Sequence, residues 1–281
     1  IIYALGGDDV SRSTNNGRKW ASTVDTQVTD AHTIAALGDY VLVGSSSTGN
    51  RKVAYSSDSA ETFSRTDALA SGTGNVHVAF DTYFSDNDTI YAAADGSTGG
   101  IYRWVIDESD DWDDLAAEPL QSQIGLTPSV PEVTVAVSYY GIVTELSGDG
   151  NPLTDAEHGG VLYAAYAGGV ARCLTPAQTS CCATESWDYL SAKLGTAVAF
   201  TLEPSSLKLC GCLTEATNSK LWAIDNQAYA YVAGEGRLWT YEDCFAKEAP
   251  ELTAVADGKA LPSDPCDCWN EKFVLEWERL C

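Results

Sequence analysis

Methionine is absent from this chain of 281 residues, and basic residues are scarce. Only 16 lysines and arginines stand against 40 aspartates and glutamates, which gives a formal net charge of −24. Phosphates and anionic lipid headgroups repel such a surface, so the charge argues against nucleic-acid binding and against docking on anionic membranes. No apolar run reaches about 18 residues, so we expect no membrane span. Because the first residue is Ile1, we expect a processed product or a part of a longer chain.

Hydrophobic residues are not lacking, and they make up 44% of the chain, which excludes a disordered acidic tail. The length is enough for one large domain or two small ones with a buried core. The 24 glycines and 14 tyrosines, combined with few long apolar runs, favour an all-β fold.

Cysteine is missing from the first 172 residues, whereas nine cysteines follow. A metal or cluster site at Cys210-Gly211-Cys212 and Cys266-Asp267-Cys268 is one interpretation, but such sites usually have C-x-x-C spacing. We therefore favour disulfides formed in an oxidising compartment. The odd count leaves Cys281 over, and the connectivity stays open. The predicted half-cystines are Cys173, Cys181, Cys182, Cys210, Cys212, Cys244, Cys266 and Cys268.

One pattern occurs five times along the chain: a short apolar strand, in most copies a Gly-rich turn, then a second strand. Alternating apolar residues predict strands, and the glycine pairs predict tight hairpin turns. The pairs are Ile2–Leu5 with Val10–Ser13, Val41–Gly44 with Val53–Ser56, Ile90–Ala93 with Ile101–Trp104, Leu162–Ala165 with Val170–Cys173, and Leu221–Ile224 with Gly236–Trp239.

A further strand precedes some of these pairs, as at His32–Ala36 and Val76–Phe80. Units of four short antiparallel strands predict a β-propeller of about five to seven four-stranded blades, with an extended C-terminal β tail. The first unit begins at its second strand, so it lacks an outer partner from its own N-terminus. We expect a later strand, or another part of a longer chain, to complete it.

Two polar turns share the pattern S-x-D-x-G-x-x-W/F. An Asp or Asn side chain in such a turn accepts backbone N–H groups, Gly takes the positive φ, and the aromatic residue packs between blades. The first copy has Asn at the Asp position, and the second has Ala60 at the Gly position. The residues concerned are Ser13, Asn15, Gly17 and Trp20 in the first turn, and Ser56, Asp58 and Phe63 in the second.

These turns resemble the Asp-box, or BNR repeat, of sialidase-type propellers. The stretch 78–92 resembles bacterial extracellular Asp-box propellers, and 169–176 with 187–190 resembles propeller blades of bacterial cell-surface proteins. Propellers of that kind are often followed by immunoglobulin-like or fibronectin-type modules. Residues 249–258 and 273–280 resemble the first strands of such a module. The resemblance implies a propeller over 1–248 and a C-terminal tail over 249–281. It implies an extracellular, surface-layer-like scaffold and supplies no functional residues.

Each candidate functional residue also has a simpler structural interpretation. Arg12, Arg103 and Arg172 recur at one strand position, which indicates a repeated structural role rather than a sialidase arginine cluster. We interpret Trp20 and Trp187 as core residues. The three histidines, His32, His77 and His158, are scattered and are interpreted as surface or strand-edge side chains. Two acidic loops could bind Ca²⁺ through their side-chain oxygens, and the alternative is that they are simply solvated loops. The candidate ligands are Asp110 and Asp111 in the first loop, and Asp149, Asn151 and Asp155 in the second.

The sequence therefore favours a non-catalytic, secreted structural or interaction module, a subunit of a cell-surface layer or filament. Its expected partners are further copies of the chain or other cell-surface proteins. The alternatives are a sialidase-like glycoside hydrolase and a carbohydrate-binding propeller with glycan ligands. An enzyme would gather carboxylates with perturbed pKa values and arginines at the axial mouth of the propeller, whereas a scaffold would not.

Overall fold

The computed structural model describes residues 1–46, 52–70, 74–95, 99–115, 139–145, 159–166, 169–178, 187–189, 204–210, 220–225, 237–242, 252–254 and 276–277. Over these residues the fold is all-β apart from one short helix, α1 (Phe84–Asn87). None of the helical residues described here forms a segment long and apolar enough to cross a membrane.

The strands form five antiparallel sheets and one separate pair. The first two sheets contain β1 (Ile2–Gly6), β2 (Asp9–Ser13) and β3 (Val24–Asp25), and then β4 (Ala31–Leu37), β5 (Tyr40–Ser45), β6 (Val53–Ser56) and β7 (Ser64–Arg65). The third and fourth contain β8 (Val76–Phe80), β9 (Thr89–Ala94), β10 (Ile101–Val105) and β11 (Asp113–Asp114), and then β12 (Tyr139–Glu145), β13 (Val161–Tyr166), β14 (Gly169–Cys173) and β15 (Trp187–Tyr189). The fifth contains β16 (Pro204–Cys210), β17 (Lys220–Asp225) and β18 (Arg237–Glu242), and the pair is β19 (Leu252–Ala254) with β20 (Glu276–Trp277).

Each sheet is a meander in which every strand pairs with the next one along the chain. All five predicted strand pairs are confirmed, as β1–β2, β5–β6, β9–β10, β13–β14 and β17–β18. The two upstream strands are also confirmed, as β4 and β8. Local alternation and glycine turns were sufficient for these predictions because each hairpin pairs residues that are close in sequence.

Both faces of the interior sheets are buried, because each sheet lies between two others. In β9, Ile90 and Ala92 belong to the apolar cluster shared with the second sheet, whereas Tyr91 and Ala93 belong to the cluster shared with the fourth. Similar clusters join the first sheet to the second and the fourth to the fifth. Successive side chains of a strand point to opposite faces, so this packing needs apolar residues at every position of a central strand.

The first strands of the second to fifth sheets, β4, β8, β12 and β16, contact one another in chain order, and we call them the inner strands. Small antiparallel meanders stacked face to face, with their first strands side by side, form the blades of a β-propeller. The predicted fold class is therefore confirmed.

Among the described residues, the first sheet has no strand beside β1 other than β2, whereas the second, third and fourth sheets have β4, β8 and β12 at that position. Strand β1 corresponds to β5, the second strand of the next sheet, and it lies at the edge of the described sheet. By this correspondence, the position beside β1 is that of an inner strand. The segment that completes the first sheet lies outside the described strands, so the expectation of completion by a later strand or by another part of a longer chain stays a prediction.

The predicted C-terminal tail contributes only β19 and β20 to the described structure, and these pair with each other. The division into 1–248 and 249–281 stays a prediction.

Candidate functional site

The first polar turn is closed by its own side chains. The hydroxyl of Ser13 donates to Asn15 Oδ1 at 3.1 Å and accepts the backbone N–H of Gly17 at 3.0 Å. Asn15 Oδ1 also accepts the N–H of Lys19 at 2.8 Å. Gly17 has a φ of 79°, which explains why the turn contains glycine there.

The second turn repeats this network with a carboxylate. Asp58 Oδ1 accepts the backbone N–H groups of Glu61 and Thr62, each at 2.9 Å, and Asp58 Oδ2 accepts the Thr62 hydroxyl at 2.6 Å. Ser56 donates to Asp58 at 2.8 Å. Desolvation raises the pKa of Asp58, but these hydrogen bonds outweigh it and lower the pKa from 3.8 to about 2. Ala60 at the Gly position adopts a φ of 62°, so the backbone conformation is retained without glycine.

The aromatic residues that end the two turns have different surroundings. Phe63 is buried at 5% exposure against the first sheet, next to Val10 and Val28. Trp20 is 40% exposed, so its interpretation as a core residue was wrong. Phe63 belongs to the apolar cluster that joins the first sheet to the second. Trp187 is buried at 4% exposure and donates to the carbonyl of Leu115 at 2.9 Å, which confirms its core role.

Two arginines form hydrogen bonds with residues of the neighbouring sheet. Arg12, on β2, donates to the carbonyl of Ser59 at 3.0 Å and to Glu61 Oε1 at 2.8 Å, both in the second turn. Arg103, on β10, donates to the carbonyl of Gln178 at 2.7 Å in the segment that follows β14. The predicted repeated structural role is confirmed for these two arginines.

The side chain of Arg103 is more buried than that of Arg12. Its side chain is 5% exposed, and its guanidinium also binds Asp113 Oδ2 at 2.6 Å within its own sheet. The side chain of Arg12 is 26% exposed. Arg172, at the equivalent position on β14, is buried as well.

A buried carboxylate, Asp81, joins the third sheet to the fourth. It is 1% exposed and accepts the hydroxyl of Tyr91 at 2.7 Å, the N–H of Tyr83 at 2.7 Å and the N–H of Gly160 at 3.1 Å. The side-chain amide of Asn87 donates to it at 3.2 Å. Burial, followed by the neighbouring Asp81 carboxylate, raises the pKa of Tyr91 well above its usual value. Because its oxygens are already occupied by donors, Asp81 is suited to joining sheets rather than to proton transfer.

Cys173 differs from the disulfide prediction. It is a fully buried thiol on β14, in the cluster that contains Tyr91, Ile142 and Trp187, and not a half-cystine. The strand directs this side chain into the apolar junction between the third and fourth sheets. The side chains of Cys181, Cys182, Cys210, Cys212, Cys244, Cys266 and Cys268 lie outside the described residues, so their pairing stays a prediction.

The candidate Ca²⁺ residues give no assembled site in the described part of the chain. Asp110 and Asp111 are exposed on the loop before β11. Across the residues described, no three His, Cys, Asp or Glu side chains come together in a way that could hold a metal ion. Asp149, Asn151 and Asp155 lie outside the described residues, and calcium binding there stays a prediction.

Two of the three histidines meet on adjacent inner strands. His32 of β4 and His77 of β8 have perpendicular rings with centroids 6.1 Å apart. Burial, followed by the charges of His32 and of Lys208 on β16, lowers the pKa of His77 from 6.5 to about 4. Nε2 of His77 is buried and has no hydrogen-bond partner. We call His32, His77 and Lys208 the inner-strand cluster.

A carboxylate borders the inner-strand cluster at the end of β9. Asp95 accepts the side-chain amide of Asn75 at 2.9 Å, and burial raises its pKa although this hydrogen bond and the charge of His32 oppose the change. A Cβ on Gly74 would lie 1.5 Å from Asp95 Oδ1, so any larger residue at this position would force the carboxylate to move. The sequence analysis did not predict this cluster, because the histidines are far apart along the chain.

The comparisons with known proteins add little about activity. No protein-family model and no curated protein matches the sequence. Among solved structures, YCF48 bound to D1 peptide is 14% identical with a TM-score of 0.42, over 78% of this chain and 56% of that one. The GH74 xyloglucanase of Xanthomonas campestris is 14% identical with a TM-score of 0.43, over 88% and 37%. The leech intramolecular trans-sialidase is 11% identical with a TM-score of 0.39, over 83% and 36%.

The chain thus spans between 36% and 56% of the length of these three structures. All TM-scores are below 0.5, so none of the likenesses carries an argument about function. The class of protein is defined by the strands themselves, as an all-β propeller.

Proposed function

We propose that this chain is a non-catalytic, extracellular structural module that associates with further copies of itself at a cell surface. The observation that carries the proposal is the exposure of apolar side chains on the first sheet and on the turn that follows its second strand. There Ile2 is 44% exposed and Trp20 is 40% exposed, whereas Phe63, the equivalent of Trp20 in the next sheet, is buried. Among the described strands β1 is an edge strand, and exposed apolar side chains beside such an edge are typical of a surface that binds another β-sheet.

The arginines support a non-catalytic role. A sialidase-like enzyme needs arginines that are available to a substrate carboxylate, together with a separate acid and nucleophile. Arg12 and Arg103 are instead occupied in joining sheets. Asp81, the most buried described carboxylate, is occupied in the same way. In this proposal the two polar turns are diverged Asp-boxes, which serve the fold and not a reaction.

Analytical ultracentrifugation of the intact chain tests self-association. We expect a concentration-dependent oligomer that weakens at least about tenfold in a Trp20→Ser variant, because burial of a large aromatic contributes several kcal/mol. Leu37→Ser is the matched control, since Leu37 is 46% exposed but lies on the second sheet. A monomer at all concentrations, or equal weakening by both variants, would contradict the proposal.

A second measurement tests the absence of catalysis. We expect no turnover of sialosides or of β-linked glucans by the purified protein. Turnover that is abolished by a single carboxylate substitution would establish the glycoside hydrolase alternative instead.

A further inference from the structure

Given the proposed self-association, on which this inference rests, we propose that Arg18 and Trp20 of the first polar turn bind a second copy of the chain head-to-tail. The surface that they bind is apolar and bears a carboxylate. The second polar turn shows what such a turn binds, because there the preceding sheet covers it. The two turns correspond residue by residue, with Arg18 equivalent to Glu61 and Trp20 equivalent to Phe63.

The second polar turn is covered by apolar and by hydrogen-bonding side chains. Phe63 is buried in the cluster that contains Val10 of β2. Arg12, also on β2, donates to Glu61 Oε1 at 2.8 Å, and the side-chain amide of Gln27 donates to the carbonyl of Phe63. This turn therefore binds its neighbour through its aromatic residue and through the charged residue two positions before it.

The first polar turn presents the same two positions uncovered. Trp20 is 40% exposed, and Arg18 is exposed and forms no ion pair with any residue that the structure describes. Ile2, which is 44% exposed, pairs with Ser13 at the start of this turn, so it lies at the same end of the sheet. The uncovered surface thus combines apolar area with positive charge, in a chain whose net charge is −24.

The charge at the position of Arg18 selects the chemistry of the partner surface. The second turn has Glu61 there and receives an arginine, whereas the first turn has an arginine, for which a carboxylate is the matching group. A partner face like that of β2 would bring Arg12 against Arg18, and like charges across an interface repel. Acidic residues outnumber basic ones by 40 to 16, so a second copy offers the required carboxylate.

The same charge disfavours a two-fold contact centred on this turn. In a two-fold contact a surface meets the identical surface of its partner. Arg18 and the adjacent Lys19, both exposed, would then face the same two cations of the other copy. A head-to-tail contact instead places the turn against a different surface, and its repetition gives a closed ring or an open filament.

Analytical ultracentrifugation of two charge-reversal variants tests the contact. Arg18→Glu should weaken association by about tenfold or more, because an attraction across the interface becomes a repulsion. Arg65→Glu is the matched control, since Arg65 is exposed on β7 of the second sheet and its reversal changes the net charge equally. Equal weakening by both variants would overturn this inference and leave self-association standing. A monomeric wild type would contradict the proposed function, and this inference with it.

Mixing the variants with labelled wild-type protein tests the head-to-tail geometry. The Arg18→Glu chain has a defective turn but keeps the opposite surface, so it should bind the turn of a wild-type copy and end the growing oligomer. We expect wild-type species larger than a dimer, and an excess of Arg18→Glu should shorten them, whereas Arg65→Glu should not. Wild-type assembly that stops at a dimer, or that Arg18→Glu leaves unchanged, would overturn the inference.

Urea unfolding of dilute, monomeric protein tests whether a segment of the same chain covers the turn instead. We expect the Arg18→Glu and Arg65→Glu variants to have equal free energies of unfolding, because the partner surface belongs to another copy. A lower free energy of unfolding in Arg18→Glu alone would show that the chain covers its own turn, and would overturn the inference.

Discussion

His77 is a titratable side chain that its surroundings keep neutral. It lies on an inner strand, in edge-to-face contact with His32, and neither its buried position nor the nearby Lys208 favours a positive charge. In the unfolded chain the same imidazole is solvated and protonates near pH 6.5. The folded and unfolded states therefore bind different numbers of protons in the weakly acidic range.

This difference predicts acid sensitivity. Because the folded pKa is about 4 and the unfolded one 6.5, the contribution of His77 is fully present above pH 6.5 and is lost as the pH falls from 6.5 through 4. The difference corresponds to about 3 kcal/mol of unfolding free energy. Urea unfolding in a carboxylate-free buffer should show this decline, and His77→Gln should remove it. A wild-type protein as stable at pH 4 as at pH 7 would contradict the prediction.

Gly44 is a second residue whose surroundings determine how a substitution changes stability. A Cβ at this position would lie 2.1 Å from the carbonyl oxygen of Val76 and 2.6 Å from Thr33 Oγ1. The Thr33 hydroxyl donates to that same carbonyl at 2.6 Å, so strands from the second and third sheets meet here.

Gly44→Ala should therefore destabilise the protein by about 1–3 kcal/mol, because backbone atoms cannot move aside as a flexible side chain does. Gly6→Ala is the control, since no atom lies within 4 Å of its added Cβ. Thermal unfolding of the two variants measures the difference, and equal midpoints would refute the close approach.

At the scale of elements, hydrogen bonds between side chains and neighbouring sheets supplement the apolar junctions. Arg12 binds the turn after β6, and Arg103 binds the segment after β14. The two arginines thus occupy equivalent strand positions and reach equivalent parts of the next sheet. At the same position of the second sheet, Tyr55 packs against the apolar cluster shared with the third sheet.

Arg103→Ala should cost about 3 kcal/mol of unfolding free energy, because it leaves the part-buried carbonyl of Gln178 without its charged donor. Arg12→Ala should cost about 1 kcal/mol, since the ion pair with Glu61 is mostly exposed. Arg18→Ala, at an exposed position, serves as the control. Urea unfolding should give the order Arg103, Arg12, Arg18, and any other order would show that the junctions depend on other contacts.

At the scale of the whole molecule, the net charge of −24 opposes compaction. Salt screens repulsion between exposed carboxylates more than it weakens the short, part-buried pair of Arg103 with Asp113. The stability of the propeller should therefore rise with ionic strength.

Thermal unfolding at about 0.01 M and about 0.5 M sodium chloride measures this effect. We expect a higher unfolding temperature at the higher concentration. Potassium chloride should act like sodium chloride, because screening depends on charge and not on ion identity. A lower unfolding temperature in salt would mean that attractive surface ion pairs outweigh the repulsion.

The sequence by itself determined the strands, the hairpins and the all-β class. The alternation of Ile90, Tyr91 and Ala92, for example, predicts a strand with two apolar faces, and this is a local property of the chain. The closing hydrogen bonds of the two polar turns are equally local, since Ser13 binds Gly17 and Ser56 binds Ala60, four residues away in each case.

Tertiary structure alone decided which sheet meets which. It decided that Phe63 is buried in the apolar cluster that joins the first and second sheets while Trp20 is exposed. It decided that Cys173 lies in an apolar junction, and it brought His77 to His32 and Lys208. These contacts join residues far apart in sequence, and their formation depends on the order and orientation of the sheets, for which no local pattern carries a signal.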